Sequence, residues 1–277
     1  MFLAAHGFND YRAAFQMFGA YAAGSGYTVI AYDQAGFGER ADGGRWPGAD
    51  QMTFEFRREL ARLNETYPDI PIFALGVSMG ASVVLLGATA DISTGDGLPN
   101  SVEIHLDGII LPAPAVWGDS QLNPIYRAVL WTVAQVAPGW RLTGRGLSIQ
   151  PTDNIDALRQ MSLDPLVLKD SRVDGLLGLV RLMDATRDVG SKLPVPVFVL
   201  IGEKDELVPS TSIESFAMSI DRDRCWLARY PNGWHMLLRD IEAEVVWHDI
   251  LAWADDRSIP SGQGGPCEPN LTSIPGS

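Results

Sequence analysis

Ile70-Pro71-Ile72-Phe73-Ala74-Leu75-Gly76-Val77-Ser78-Met79-Gly80-Ala81-Ser82-Val83-Val84-Leu85-Leu86-Gly87-Ala88 decides the fold. Its first six residues are a short, nearly continuous apolar run, as expected of a strand covered on both faces. From Met79 to Ala90 the residues are small and apolar, which suits a buried helix packed on a sheet. Between the two stands Ser78, with Gly76 and Gly80 two residues to either side. A serine on a sharp strand-to-helix turn is held in strained backbone geometry with its Oγ exposed. Glycines at those two positions keep the turn from clashing. The helix that follows adds free N–H groups and the positive end of its dipole. In this setting Ser78 reads as a nucleophile; a plain tight turn is the bland alternative.

Outward from this stretch, short apolar runs alternate with longer periodic ones. Phe2–Ala5, Tyr27–Tyr32, Asp107–Leu111, Val195–Ile201 and Cys225–Tyr230 read as further strands. Asp50–Tyr67 puts Met52, Phe56, Leu60, Leu63 and Tyr67 on one stripe before Pro68, and Ile241–Trp253 is a last amphipathic helix. Strands alternating with helices predict a mostly parallel α/β sheet flanked by helices. One interval breaks the alternation. Between Leu111 and Val195, the segments Pro124–Val136 and Asp174–Asp184 are helical and apolar beyond one narrow face. They predict a helical cap over residues 112–194, inserted between two sheet strands of a core formed by 1–111 and 195–254. Trp131, Leu176, Leu177 and Val180 are its expected substrate-lining residues.

Composition narrows the function. The 277 residues are 46% apolar with a formal net charge of −13, enough for a core and unsuited to nucleic acid or anionic membrane surfaces. No apolar stretch approaches the length of a spanning helix, and no signal-peptide pattern opens the chain, which predicts a cytoplasmic protein without an integral membrane segment. Two cysteines, Cys225 and Cys267, cannot build a disulfide framework or a thiolate metal site. Residues 255–277 are rich in Gly, Pro and Ser and read as a disordered tail carrying Cys267 as an exposed free thiol.

A serine nucleophile needs a base. Of four histidines, His235 lies in the turn-rich loop Tyr230-Pro231-Asn232-Gly233-Trp234-His235 after the last core strand, where sites form on parallel sheets. His6 follows the first strand, His105 precedes a strand and His248 falls in a helix. The acid should lie between serine and histidine in sequence. Gly202-Glu203-Lys204-Asp205-Glu206 supplies it; Asp205 is the choice, with Glu203 and Glu206 as its neighbours. The oxyanion hole needs two backbone N–H groups. Met79 follows the nucleophile, and Phe8 stands in the loop His6-Gly7-Phe8. His6 is then a structural residue.

Together with Asp33-Gln34-Ala35-Gly36-Phe37-Gly38, these motifs resemble the serine α/β-hydrolases of the monoacylglycerol lipase and lysophospholipase type, from Met1 to about Trp253. The resemblance implies Ser78, Asp205 and His235 as the triad, Phe8 and Met79 as oxyanion donors, a mobile cap, hydrolysis of a lipid-like carboxylic ester and no cofactor or metal. Val77 stands where the family often has Glu or His, Ala81 where it has a second Gly, and Ala35 where it often has Arg. These departures bear on substrate preference. The family also has two strands before the one that opens this chain. Their absence predicts an open sheet edge at Tyr27–Tyr32, which has strong β propensity and no charge or proline, and hence a route to homodimerisation. Peptide, lactone or carbon–carbon bond cleavage by the same triad, and a non-catalytic binding protein on this fold, are the alternatives to an esterase.

Overall fold

A computed structural model describes residues 1–42, 44–89, 105–117, 124–144 and 149–267. Its core alternates β1 (Phe2–Ala5), α1 (Gln16–Gly24), β2 (Val29–Ala31), α2 (Ala49–Thr66), β3 (Phe73–Gly76), α3 (Met79–Thr89) and β4 (Gly108–Pro112). The insertion then carries α4 (Pro124–Val136), β5 (Arg141–Thr143), α5 (Ile155–Leu163), β6 (Asp170–Arg172) and α6 (Val173–Ala185). The core resumes with β7 (Val197–Gly202), α7 (Ser210–Ala217), β8 (Cys225–Tyr230), α8 (Ala243–Asp256) and β9 (Gly264–Pro266). The predicted strands and helices of the core all appear, with ends shifted by a few residues.

Among the described residues the main sheet has seven strands, in the order β2-β1-β3-β4-β7-β8-β9. Every pairing is parallel except the last, β8 with β9. Its apolar strands are buried because both faces are covered, and alternation along each strand sorts the side chains. Leu3, Ala5, Ala74, Ile109 and Val199 pack with Met52, Phe56 and Leu60 of α2, Val83 of α3 and Ile213 of α7. Phe2, Ala4, Leu75, Ile110 and Phe198 pack on the opposite face with Phe18 of α1 and Ile250 and Trp253 of α8. In the insertion, α6 packs against α3 and α4 packs on α6. The pair β5–β6 forms a separate two-stranded sheet.

β2 is the edge strand for which the sequence predicts pairing with another chain. Just before it, the Tyr27 ring packs on Phe2 and its hydroxyl donates to Asp255.

The tail departs from expectation. α8 continues to Asp256, and β9 then pairs antiparallel with β8, Leu227 opposite Gly265. Cys267 is buried and forms a disulfide with Cys225 across a Cα–Cα distance of 5.3 Å. Its N–H also donates to the Cys225 carbonyl at 2.9 Å. Residues 255–267 are therefore ordered, and Cys267 is no free thiol. The composition is indeed too poor in apolar area to order this segment by burial. Strand pairing and a covalent bond do it instead. The rest of the tail, 268–277, lies outside the described residues.

The disulfide closes a loop spanning a sequence separation of 42. Replacing Cys225 and Cys267 together by serine should lower the stability of the unreduced protein by roughly 2–4 kcal/mol, read by urea denaturation. Reduction of the wild type should reproduce the loss, and alkylation before reduction should find no thiol.

Candidate active site

The turn between β3 and α3 places Ser78 at the carboxyl end of the sheet. Ser78 has φ 52°, a left-handed conformation that costs a non-glycine residue about 1–3 kcal/mol. Surrounding bonds hold it there. The Val77 N–H donates to Ala5 of β1 at 3.1 Å, and the Ser78 N–H donates to Pro112 of β4 at 3.3 Å. Gly80 is required by close approach, because a Cβ there would lie 2.0 Å from the Ala5 carbonyl oxygen.

Asp205 and His235 stand in the loops that follow β7 and β8. His235 Nε2 lies 3.0 Å from Ser78 Oγ, and His235 Nδ1 lies 2.8 Å from Asp205 Oδ2. The Asp205 side chain is 1% exposed. Its other oxygen accepts the N–H groups of Leu207 at 2.7 Å and Val208 at 3.1 Å. Glu203 instead pairs with Arg229, and Glu206 accepts the Gln150 N–H, so of the three acids only Asp205 reaches the histidine. The two loops touch directly. The Lys204 N–H donates to the Gly233 carbonyl at 2.9 Å, and a Cβ on Gly202 would lie 2.4 Å from the Trp234 oxygen.

Phe8 lines the same cavity as Ser78, and Met79 opens α3 directly after it. Gly7 sits against the Ser78 side chain, its ideal Cβ position 3.4 Å from Ser78 Cβ. Among the described residues neither the Phe8 nor the Met79 N–H has a hydrogen-bond partner within the protein. His6 is wholly buried beneath this loop. The Gln34 N–H can only donate, so His6 Nε2 accepts it at 3.1 Å and Nδ1–H donates to the Gly7 carbonyl at 2.8 Å. Burial lowers the affinity of this imidazole for a second proton. The loop Asp33–Gly38 is anchored through Arg40, whose guanidinium meets both oxygens of Glu55 at 2.6 and 2.7 Å. Glu55 also accepts the Ala35 N–H at 3.2 Å, so this loop is tied to Arg40 through Glu55.

Above Ser78 lies a cavity of about 410 Å³ with a largely apolar wall. Ala115, Trp117, Leu179, Met183, Leu207 and Val208 supply much of that wall. Asn9, Asp10 and Arg239 also line it, with Arg239 paired to Asp10 at 2.9 Å. The insertion does contribute to the cavity, but not through the residues expected. Trp131, Leu177 and Val180 line a different groove, with Arg127, Arg181 and Asp184. Leu176 is not among the residues around the Ser78 cavity. On α6 it is Leu179 and Met183, one helical turn apart, that face inward. Sequence reading also missed Trp117, Met161 and Arg239; Leu179 and Met183 at i, i+4 were the available signal.

Among the described residues there is no cluster of His, Cys, Asp or Glu able to hold a metal, and no helix is long and apolar enough to cross a membrane.

This fold defines a hydrolase of the α/β class. The family model described as "Serine aminopeptidase, S33" matches residues 1–242, and the chain belongs to that family. It is similar to the monoacylglycerol lipase of Mycolicibacterium smegmatis, 25% identical over 266 residues that cover 90% of this chain and 85% of that one. It is 24% identical to human monoglyceride lipase, over 94% of this chain and 84% of the human one. Among solved structures, the monoacylglycerol lipase of Paleococcus ferrophilus superposes with a TM-score of 0.75 at 17% identity, covering 93% of this chain and 94% of that one. The monoglyceride lipase of Saccharomyces cerevisiae gives 0.73 at 18% identity, covering 93% and 86%.

Gly202→Ala should drive the two loops apart and misplace His235 against Ser78. A displacement of that order costs about 10²-fold in kcat. Turnover of a short ester, with circular dichroism to show an intact fold, checks it.

Proposed function

We propose that this carboxylic ester hydrolase cleaves monoacylglycerol-like esters through an acyl-enzyme. The observation that carries the reading is the hydrogen-bonded series Ser78–His235–Asp205 beneath an apolar cavity. His235 takes the Ser78 proton as Oγ attacks the ester carbonyl, and Asp205 fixes the imidazole and balances its charge. The Phe8 and Met79 N–H groups bind the oxyanion. His235 then protonates the leaving alcohol, and later activates the water that releases the acid. The apolar wall takes the acyl chain, and no cofactor enters.

The family's description names an aminopeptidase, and such an enzyme must hold a substrate ammonium group. Among the described residues Asp10 is the one carboxylate in the cavity lining, and Arg239 already neutralises it. That favours an uncharged ester. The cell compartment is best read from the Cys225–Cys267 disulfide, which suits an oxidising environment over the cytosol expected from the sequence.

Ser78→Ala should abolish ester hydrolysis, with a loss near 10⁶-fold in kcat. Asp205→Asn should cost roughly 10⁴-fold. A fluorophosphonate should label the wild type at Ser78 and leave the alanine variant unlabelled. Equal labelling of both, or a crippled Glu206→Gln beside an active Asp205→Asn, would refute the assignment.

The cavity lining predicts the chain-length profile on p-nitrophenyl esters of graded length. Burial is worth about 0.8 kcal/mol per methylene, or roughly fourfold in kcat/KM per added carbon. Met183→Trp should end that gain at shorter chains. Trp131→Ala with Leu177→Ala should leave the profile as in the wild type, because both residues line the other groove.

A further inference from the structure

Residues 150–154, where the insertion returns toward the core, form a strip of hydrogen bonds with both catalytic loops. The Met236 N–H donates to the Pro151 carbonyl at 2.9 Å. Asn154 Nδ2 donates to the Arg239 carbonyl at 2.9 Å, and the Ile241 N–H donates to Asp153 Oδ1 at 2.9 Å. On the acid side, the Gln150 N–H donates to Glu206 Oε2 at 2.7 Å, one residue beyond Asp205. At the centre lies Asp240, which is buried, as is Thr152. Its Oδ2 accepts the N–H of Trp234 at 2.7 Å, the residue immediately before His235. Its Oδ1 accepts the Thr152 hydroxyl at 2.6 Å. Neither Asp240 nor Thr152 lines the substrate cavity.

We infer that Asp240 is a positioning residue for the base, and that through it the root of the cap holds the loop carrying His235. This rests on the reading of His235 as the base of Ser78. A carboxylate is needed to accept both bonds at once; once protonated it must give one up or turn donor. The charged groups around it do not supply a counter-cation of its own. Asp153 raises its proton affinity and His235 lowers it. The Arg239 guanidinium is spent on Asp10, and Glu242 faces Asn232. Burial, the largest cause, pushes the Asp240 carboxyl up to about 6. Its protonation therefore falls in the pH range where a base of imidazole type loses activity. The acid limb of the rate profile should be steeper than one proton.

The test measures kcat and KM on a short ester, the rate of Ser78 phosphonylation by a fluorophosphonate, and the proton resonance of His235 Nδ1–H. Asp240→Ala should lower kcat and phosphonylation by about 10²-fold, leave KM nearly unchanged and shift or broaden the Nδ1–H resonance. Asp240→Asn, which keeps an oxygen for the Trp234 N–H, should restore most of the rate and reduce the acid limb to one proton. Thr152→Val removes only the hydroxyl. It should cost about tenfold, and it carries the decision if Asp240→Ala does not fold. A folded Asp240→Ala with wild-type kcat and Nδ1–H resonance overturns the inference, as does a two-proton limb that survives Asp240→Asn. A wild type inert toward esters and fluorophosphonate, whose Nδ1–H resonance still responds to Asp240→Ala, overturns the hydrolase reading and leaves the positioning role standing.

Discussion

The backbone seat of Ser78 is the constraint on which the rest depends. A residue in left-handed geometry persists only where its surroundings over-determine it. Here the ends of two neighbouring strands do so, since Ala5 of β1 and Pro112 of β4 accept the N–H groups of Val77 and Ser78. The position of the nucleophile is therefore a property of the sheet register, not of the loop alone. Every other loop that converges on Ser78 leaves the carboxyl end of a parallel strand of that sheet. The oxyanion loop follows β1, the acid loop follows β7 and the base loop follows β8.

Two histidines show how environment assigns a role to the same side chain. His6 and His235 both sit within the loops around Ser78. His6 is fully enclosed, and a backbone donor consumes its Nε2. Its other nitrogen is held by the Gly7 carbonyl, and it serves as a tie between the β1 loop and Gln34. His235 has a carboxylate on Nδ1 and the serine hydroxyl on Nε2. That arrangement, a carboxylate on one ring nitrogen and a hydroxyl on the other, is what the base of a serine nucleophile requires. The acids divide in the same way. Asp205 is enclosed and oriented by two backbone donors, whereas Glu203 and Glu206 serve as links to Arg229 and to the root of the cap.

The core was legible because its rules are local. Continuous apolar runs mark strands covered on both faces, and the Ser78 turn, the Gly202 loop and the His235 loop each follow such a run. α1 and α7 escaped because Gln16–Gly24 and Ser210–Ala217 are short; α1 is apolar around most of its circumference and shows no stripe, and α7 carries few apolar residues. The tail escaped for a different reason. Composition measures what burial can stabilise, but β9 is held by pairing with β8 and by Cys267 bonded to Cys225. Neither a cross-strand partner nor a disulfide partner 42 residues away leaves a mark in the local pattern.

The cap residues expose a limit of another kind. Periodicity finds the apolar positions of a helix but says nothing of which apolar face meets the substrate when there are two. On α6, Leu179 and Met183 face the Ser78 cavity while Leu177 and Val180 face a groove shared with Trp131 of α4. α4 itself leaves Tyr126 72% and Val136 81% exposed, so its hydrophobicity is not spent on packing. A helix that carries the cap must satisfy the cavity below and the cap helix above at once, and its sequence becomes apolar beyond one stripe. The shape of the Ser78 cavity then belongs to the inward stripe together with Trp117, and the outward stripe answers to the fit of α4.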